Sequence, residues 1–280
     1  MRPVRVAVVG HGFMGRTHLA AIAKLSGIEA ANVHLSDLAG AIADPRIDAV
    51  DLCVPTDLHA SAAIEALRAG KHVLVEKPMA LDLASCERMI QAAERTGRVL
   101  MVAHVLRFLP AYARLENAGK VRDAFFRRRC GLPDWAPWLH DVARSGGGPF
   151  DLLIHDVDIA LHLFGEPCAI AATGRGGVLS ARLFYADFCA EITGGWYRPG
   201  GPFWMEYTVE TESATLDFDS RAAEPFDGYA AEIAYFAQCV RESKPPARCL
   251  PRESARAVRL MLALMAARER NGEKIPWKSE

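Results

Sequence analysis

Three polar residues recur at helical spacing in the segment DLLIHDVD, namely Asp151, His155 and Asp158. Because they are four and three residues apart, their side chains fall on one face of a helix. The rest of that helix is apolar, and polar groups buried on it need partners. A carboxylate beside an imidazole orients the ring and stabilises its protonated form. The segment therefore predicts acid–base chemistry; a solvated polar face and a metal site built from the same groups are the alternatives.

A second candidate for chemistry is the triplet Glu76-Lys77-Pro78, which follows the apolar run VLV. Ligands of open α/β sheets gather at the carboxyl ends of the strands, where this triplet would lie. A lysine near a desolvated pocket can have its pKa lowered and can assist proton transfer to an alcohol oxygen. The alternative is a surface lysine held in a salt bridge.

The segment VPTDLH, residues 54–59, also follows an apolar strand pattern. Pro55 ends the strand, and Thr56 or Asp57 can cap the helix that follows. Residues that only end a strand and cap a helix need no ligand. Contact with a cofactor is an equally good interpretation of the same residues.

A glycine motif of the form G-x-G-x-x-G, GHGFMG, directly follows the apolar strand 4–9 and opens a helix. The first glycine permits a tight turn, the second lets a pyrophosphate approach the backbone, and the third lets the helix pack against the sheet. Free N–H groups at the helix N-terminus then bind the phosphates. The motif predicts a dinucleotide site, and its cofactor-binding candidates are Gly10, Gly12, Phe13, Met14 and Gly15.

The acidic residue that contacts the adenosine ribose of a dinucleotide is expected about 20 residues after the glycine motif. Glu29 and Asp37 lie near that distance, yet only 33 residues separate Gly15 from Asp48. This stretch looks too short for a helix, a second strand, a second helix and a third strand. We therefore expect a trimmed second-strand region, and we assign no preference between NAD and NADP.

The elements that must position these residues differ between the two halves of the chain. Up to residue 106, apolar strands alternate with helices, which is typical of a parallel sheet. Beyond it, an apolar helix over 151–164 precedes β-rich runs between 168 and 218, which predict a mostly antiparallel sheet. The predicted fold is α/β, with a Rossmann-type domain over 1–106 and an α+β domain over 107–280.

Composition excludes several other classes of function. Hydrophobic residues make up 51% of the 280 residues and the formal net charge is −1, which argues against nucleic-acid and acidic-membrane partners. The densest cationic stretch, residues 127–129, is interpreted as a solvated strand end or loop. The seven cysteines show no C-x-x-C spacing, and the sequence shows no signal peptide or apolar membrane span. We expect a cytoplasmic protein without a bound metal.

Four segments in this order resemble the glucose–fructose oxidoreductase / inositol dehydrogenase (Gfo/Idh/MocA) family: VAVVGHGFMGRTH, VPTDLH, VLVEKPMAL and GGGPFDLLIHDVD. The resemblance implies an NAD- or NADP-binding domain and an open-faced sheet domain that forms homodimers or homotetramers. It makes Lys77, Asp151 and His155 the catalytic group, which also contacts the substrate. The positions that it brings near the cofactor are Pro55, Thr56, His59, Glu76 and Lys77, and a looser match brings Trp135 and Trp138 near the substrate.

The function that this resemblance implies is hydride transfer between a nicotinamide cofactor and a polyol, sugar or inositol-like alcohol. Within the family, NAD-assisted glycoside cleavage is an alternative. Outside catalysis, the same fold could sense a dinucleotide or a sugar. The set of Lys77, Asp151 and His155 argues against sensing, because a sensor needs no general base.

Overall fold

The computed structural model describes residues 2–224 and 227–278. The chain divides into two compact units. The first comprises Met1–Leu109 and Phe226–Arg256, and the second comprises Pro110–Pro225 and Ala257–Glu280. The boundary predicted from the sequence lies after residue 106, with everything beyond it in one domain. The structure differs in returning 226–256 to the first unit.

A parallel sheet forms the centre of the first unit, with the strand order β2-β1-β3-β4-β5. Its strands are β1 (Val4–Val9), β2 (Ile28–Val33), β3 (Ala49–Leu52), β4 (His72–Glu76) and β5 (Leu100–Ala103). The helices between them are α1 (Phe13–Ile22), α2 (Leu38–Ala43), α3 (His59–Arg68) and α4 (Leu83–Thr96). The alternation of strand and helix confirms the predicted Rossmann-type domain.

Local sequence explains these elements. The inner strands are almost continuous apolar runs, as strands covered on both faces should be, and in β1 only Arg5 is not fully buried. Helix α4 begins where the Asp82 carboxylate accepts the Ser85 N–H, and it ends at Gly97, which adopts the left-handed conformation.

The stretch between the glycine motif and β3 contains α1, β2 and α2, which are the elements that a Rossmann-type domain requires there. Strand β2 pairs with β1 along its whole length, from Val4 opposite Ile28 to Val9 opposite Val33. The region is short, as expected, but the shortening falls on α2, which has six residues, and the strand itself is not trimmed. The stretch was predicted to be too short for these elements, and it holds them because α2 has only six residues.

The second unit is built on a sheet with the strand order β11-β10-β6-β9-β8-β7-β12. Only β6 and β9 are parallel neighbours within the described part of the chain, so the sheet is mostly antiparallel, as predicted. Its strands are β6 (Val121–Cys130), β7 (Ala169–Thr173), β8 (Val178–Phe184), β9 (Cys189–Trp196), β10 (Trp204–Thr211), β11 (Thr215–Asp219) and β12 (Ile275–Pro276).

The later helices are divided between the two units. Those of the second unit are α5 (Pro110–Ala113), α6 (Val142–Ser145) and α7 (Ile154–Phe164), and a π-helical turn, Pro149–Leu153, precedes α7. They are followed by α8 (Gly228–Glu242) in the first unit and by α9 (Pro251–Arg268), whose residues are divided between the two units. In the part of the chain that is described, no helix has both the length and the apolar character needed to cross a membrane.

Helix α8 belongs to the first unit because it completes that unit's core. Its buried residues Ile233, Phe236 and Val240 share one cluster with Val6 and Val8 of β1. An apolar helix face of this kind is stable only against another apolar surface. No local pattern in the sequence indicates which sheet supplies that surface.

An ion pair inside the second unit connects α7 to the sheet. Arg128 lies within β6 and is buried, whereas the sequence analysis interpreted residues 127–129 as a solvated strand end or loop. Its Nε and Nη2 atoms donate to the two carboxylate oxygens of Asp156, at 2.9 and 3.0 Å. Such a bidentate contact fixes the rotation of α7, on which Asp156 follows His155 directly.

We predict that Asp156→Ala lowers the free energy of unfolding by about 3–5 kcal/mol, because it removes one partner of a buried ion pair. Urea denaturation measures the loss. Glu212→Ala is the control, since Glu212 pairs with Lys120 at the surface and its removal should change stability little. Equal effects of the two substitutions would contradict a structural role for the Arg128–Asp156 pair.

Candidate active site

Three sequence-predicted segments lie side by side at the carboxyl edge of the first sheet. Gly10 follows β1, Pro55 and Thr56 follow β3, and Lys77 follows β4. Because β1, β3 and β4 are neighbours in that order, the strand ends meet at one edge. This edge is where open α/β sheets bind their ligands.

Two glycines of the loop, Gly10 and Gly15, are required by the backbone that surrounds them. Gly10 has a φ of +116°, and a Cβ there would lie 2.3 Å from the carbonyl oxygen of Cys53. A Cβ on Gly15 would lie 1.8 Å from the carbonyl oxygen of Gly10. The fold itself therefore requires both residues to be glycine.

Gly12 differs from the other two glycines, because a Cβ on it would meet nothing within 4 Å among the described residues. It is the N-cap of α1, and the side chains in the described part of the chain supply no cap there. Phe13 and Met14 form the first turn of the helix, and Phe13 is exposed. Open space in front of uncapped N–H groups is the cradle that a dinucleotide pyrophosphate needs, so the loop fits the predicted cofactor.

The carboxyl end of β2 is the place for the adenosine ribose. His34 follows that strand directly, its ring lies edge to face on His11 of the glycine loop, and Asp37 is in the 3-10 turn Leu35–Asp37. Glu29 lies near the opposite end of β2, where its carboxylate accepts a hydrogen bond from Arg5 Nε at 2.9 Å. Of the two acidic candidates, only Asp37 is close to the ligand edge.

His59 joins two of the segments at this edge. Its ring is buried, with Nδ1 2.9 Å from the carbonyl oxygen of Pro78 and Nε2 3.0 Å from that of Val54. Burial lowers the pKa of His59, although the two carbonyl contacts oppose that shift. Any effect of His59 on a cofactor therefore passes through the backbone that it holds.

Glu76 points into the protein. Its Oε2 accepts the backbone N–H of Lys77 at 3.1 Å, and its Oε1 lies 3.0 Å from Nε2 of His18. Burial alone would favour the neutral acid, but pairing with His18 outweighs it and lowers the pKa of Glu76. Glu76 is therefore a buried carboxylate at neutral pH.

His18 and Asp51 are two residues near the site that the sequence patterns did not predict. His18 Nδ1 lies 2.8 Å from Asp51 Oδ2, and Cys53 Sγ is 3.5 Å from the same nitrogen. These three residues could hold a metal ion by their types and distances, but direct hydrogen bonds already join their atoms, so we interpret them as a buried ion pair with a thiol beside it. The signal in the sequence was a carboxylate inside the apolar strand AVDL, which needs a partner.

In the second unit, the polar residues that were predicted on one helix face have different surroundings, and so does His162 further along the same helix. Asp151 lies in the π-helical turn and His155 in the first turn of α7, and both are half-buried. Asp158 is fully buried, whereas His162 is near the surface, 3.2 Å from Glu116. Of these four residues, Asp151 and His155 are therefore the half-buried pair.

Cys130 and the two predicted tryptophans, Trp135 and Trp138, also belong to the second unit. Burial raises the pKa of Cys130 at the end of β6, and the charge of Asp151 adds to the shift, which places the carboxylate near that thiol. Trp138 packs on a cluster that includes Leu152 and Trp196. Trp135, by contrast, is exposed.

Comparison with known proteins identifies the family. The model described as "Oxidoreductase family, NAD-binding Rossmann fold" matches residues 22–104, and "GFO/IDH/MocA C-terminal domain" matches residues 114–220. The chain belongs to the Gfo/Idh/MocA family. Its first unit is therefore an NAD-binding Rossmann domain, which confirms the predicted family, fold class and nicotinamide cofactor.

Two curated relatives and one solved structure show its place among Gfo/Idh/MocA proteins. The chain is 28% identical to scyllo-inositol 2-dehydrogenase (NAD(+)) of Bacillus subtilis (strain 168), over 72% of this chain and 70% of the relative. It is 32% identical to UDP-N-acetylglucosamine 3-dehydrogenase of Acidithiobacillus ferrooxidans, over 62% of this chain and only 59% of the relative. The fold matches GenD2 from gentamicin A biosynthesis, in complex with NAD, with a TM-score of 0.88, 20% identity and coverage of 100% and 97%.

We predict that Gly12→Ala leaves this Gfo/Idh/MocA protein folded but weakens NADH binding by at least about tenfold, because the added methyl group occupies the space left for the pyrophosphate. Fluorescence titration measures the affinity, and circular dichroism checks the fold. Gly40→Ala is the matched control, since a Cβ there also meets nothing within 4 Å. Unchanged NADH affinity in Gly12→Ala would remove the loop from the cofactor site.

A second prediction concerns the choice between NADH and NADPH. With His34 after β2, we expect weak binding and little preference, and a preference of about a hundredfold in the unmodified chain would contradict this. His34→Asp should favour NADH by about 10–100-fold, through a hydrogen bond to the ribose and repulsion of the 2′-phosphate. Glu29→Gln is the control and should leave the ratio of the two affinities unchanged.

Proposed function

We propose that this protein transfers a hydride between a nicotinamide cofactor and a secondary alcohol of a polyol, sugar or inositol-like molecule. The observation that carries the proposal is the open space at Gly12 beside the segment that bears Lys77, on one edge of an NAD-binding sheet. The names of the relatives, which are dehydrogenases of an inositol and of a sugar nucleotide, support this class of substrate.

The roles of the residues follow from their chemistry and from their match to the family motifs. His155 takes the proton of the substrate hydroxyl, and Asp151 orients the imidazole and stabilises its charged form. Lys77 stabilises the oxygen that loses the proton, and Trp138 lines the substrate side. When bound, the nicotinamide supplies the redox chemistry by accepting or delivering the hydride. Reduction of a ketone follows the same path in reverse.

The NAD or NADP site uses the glycine loop and the strand ends next to it. The backbone of Gly10, Gly12 and Gly15 holds the pyrophosphate, and Phe13 and Met14 flank it. Pro55 and Thr56 contact the cofactor from the end of β3, while His59 and Glu76 support it from beneath. We further propose that the protein is a cytoplasmic homodimer or homotetramer.

NAD-assisted glycoside cleavage and ligand sensing remain the competing functions. Cleavage regenerates its cofactor, so it would release a sugar without net formation of NADH. Sensing would give cofactor binding with no turnover of any polyol or sugar. A screen of these compounds followed by NAD(P)H absorbance, with product analysis, distinguishes the three functions.

We predict that Lys77→Ala and His155→Ala each lower kcat/KM by about 10²–10⁴-fold, because each removes a group that handles the hydroxyl proton. Both variants should keep the fold, as judged by circular dichroism. His162→Ala on the same helix is the matched control for His155→Ala and should keep near-normal turnover, because its partner is the surface residue Glu116. Normal turnover by folded His155→Ala would exclude histidine from the mechanism.

A further inference from the structure

We propose that His18 and Asp51 are positioning residues for Lys77. They hold the buried carboxylate of Glu76, and that carboxylate holds the backbone N–H of Lys77. The inference rests on the proposed function to the extent that Lys77 is taken as the residue that acts on the substrate. Neither His18 nor Asp51 reaches the surface, so both act through Glu76.

The geometry places one imidazole between two carboxylates. Nδ1 of His18 is 2.8 Å from Asp51, Nε2 is 3.0 Å from Glu76, and the three residues are 0%, 0% and 6% exposed. A neutral imidazole has only one N–H, so one carboxylate would then face a ring lone pair. Only the imidazolium offers a positive charge to both carboxylates at once.

The groups that face His18 from neighbouring elements agree with a charged ring. Asp51 and Cys53 face it from β3, Glu76 from β4, and the Tyr229 ring of α8 lies 5.6 Å away. Burial opposes the charge, but attraction to Asp51 outweighs it and raises the pKa of His18 well above its ordinary value. Its stabilising charge is therefore present at neutral pH and is lost only as the pH rises through that raised value.

A hydrogen bond connects Glu76 to the Lys77 backbone, and a second contact holds the chain on the other side of Lys77. Glu76 accepts the Lys77 N–H at 3.1 Å, and His59 contacts the carbonyl oxygen of Pro78 at 2.9 Å. The backbone is thus held both before and after the Lys77 side chain, which sets its direction. Without His18, the buried Glu76 carboxylate would lose the counter-charge that this ring supplies, and it would either protonate and accept more weakly or turn away. Either change loosens the contact with the Lys77 N–H.

Amide hydrogen exchange tests the first step without any turnover. In the ¹⁵N-labelled full-length chain, the Lys77 amide should exchange at least about tenfold faster in His18→Gln than in the unmodified protein, because its acceptor has moved. His72→Gln is the matched control: His72 is also buried, but it lies at the opposite end of β4, where it accepts the Val99 N–H. Unchanged exchange at Lys77 in folded His18→Gln overturns the proposal.

Turnover of the polyol or sugar that the unmodified protein uses fastest tests the second step. His18→Gln should lower kcat by about 10–100-fold, as expected for a misplaced side chain, with little change in NADH affinity. In the Lys77→Ala background the same substitution should have no further effect. Losses that multiply in the double variant, or an equal loss of kcat in His72→Gln, overturn the proposal.

Two further cases have a defined outcome, namely a variant that does not fold and a protein that turns over none of the compounds. If His18→Gln does not fold, Asp51→Asn replaces it, with faster exchange at Lys77 and the same lack of additivity expected. If the unmodified protein and His72→Gln both fail to turn over any polyol or sugar, the proposed function fails, while the exchange data still decide whether His18 holds Lys77.

Discussion

A buried charge is tolerated only beside a counter-charge, and in both units this constraint fixes a carboxylate next to a residue that we propose to be catalytic. In the first unit His18 of α1 lies between two buried carboxylates. In the second unit Arg128 pairs with Asp156 and connects α7 to its sheet. Lys77 and His155 are each the sequence neighbour of one of these paired carboxylates, so a buried contact lies one residue away from each proposed catalytic residue.

Much of the fold could be predicted because its inner strands and helices have strong periodic patterns. The apolar runs of β1, β3 and β4 and the helix over α7 were recognisable from the sequence alone. Strand β2 was not, because it lies at the edge of its sheet and only Ile28 is fully buried, which removes the apolar signature. The assignment of 226–256 to the first unit also escaped prediction, since it depends on packing between residues far apart in sequence.

The same distinction applies to the candidate site: its local motifs could be predicted, and its contacts between distant residues could not. The glycine loop and the segments around Lys77 and His155 are local motifs, and their positions at strand ends and on a helix followed directly from the sequence. The pair of His18 and Asp51 joins residues 33 positions apart, and nothing local indicates that they meet. Spacing along the chain could not decide whether Glu29 lies at the ligand end of β2, because that depends on the register of the strand.

The discontinuous first unit has a consequence for synthesis on the ribosome. The N-terminal strands leave the ribosome first, yet the face of the sheet that α8 covers stays open until the chain has grown past residue 242. Through all of that time Val6 and Val8 lack the part of their cover that α8 supplies. The first unit therefore completes its core late, which is the reverse of the usual expectation that N-terminal domains finish folding first. During that time the apolar face of the nascent sheet is open to binding by a chaperone.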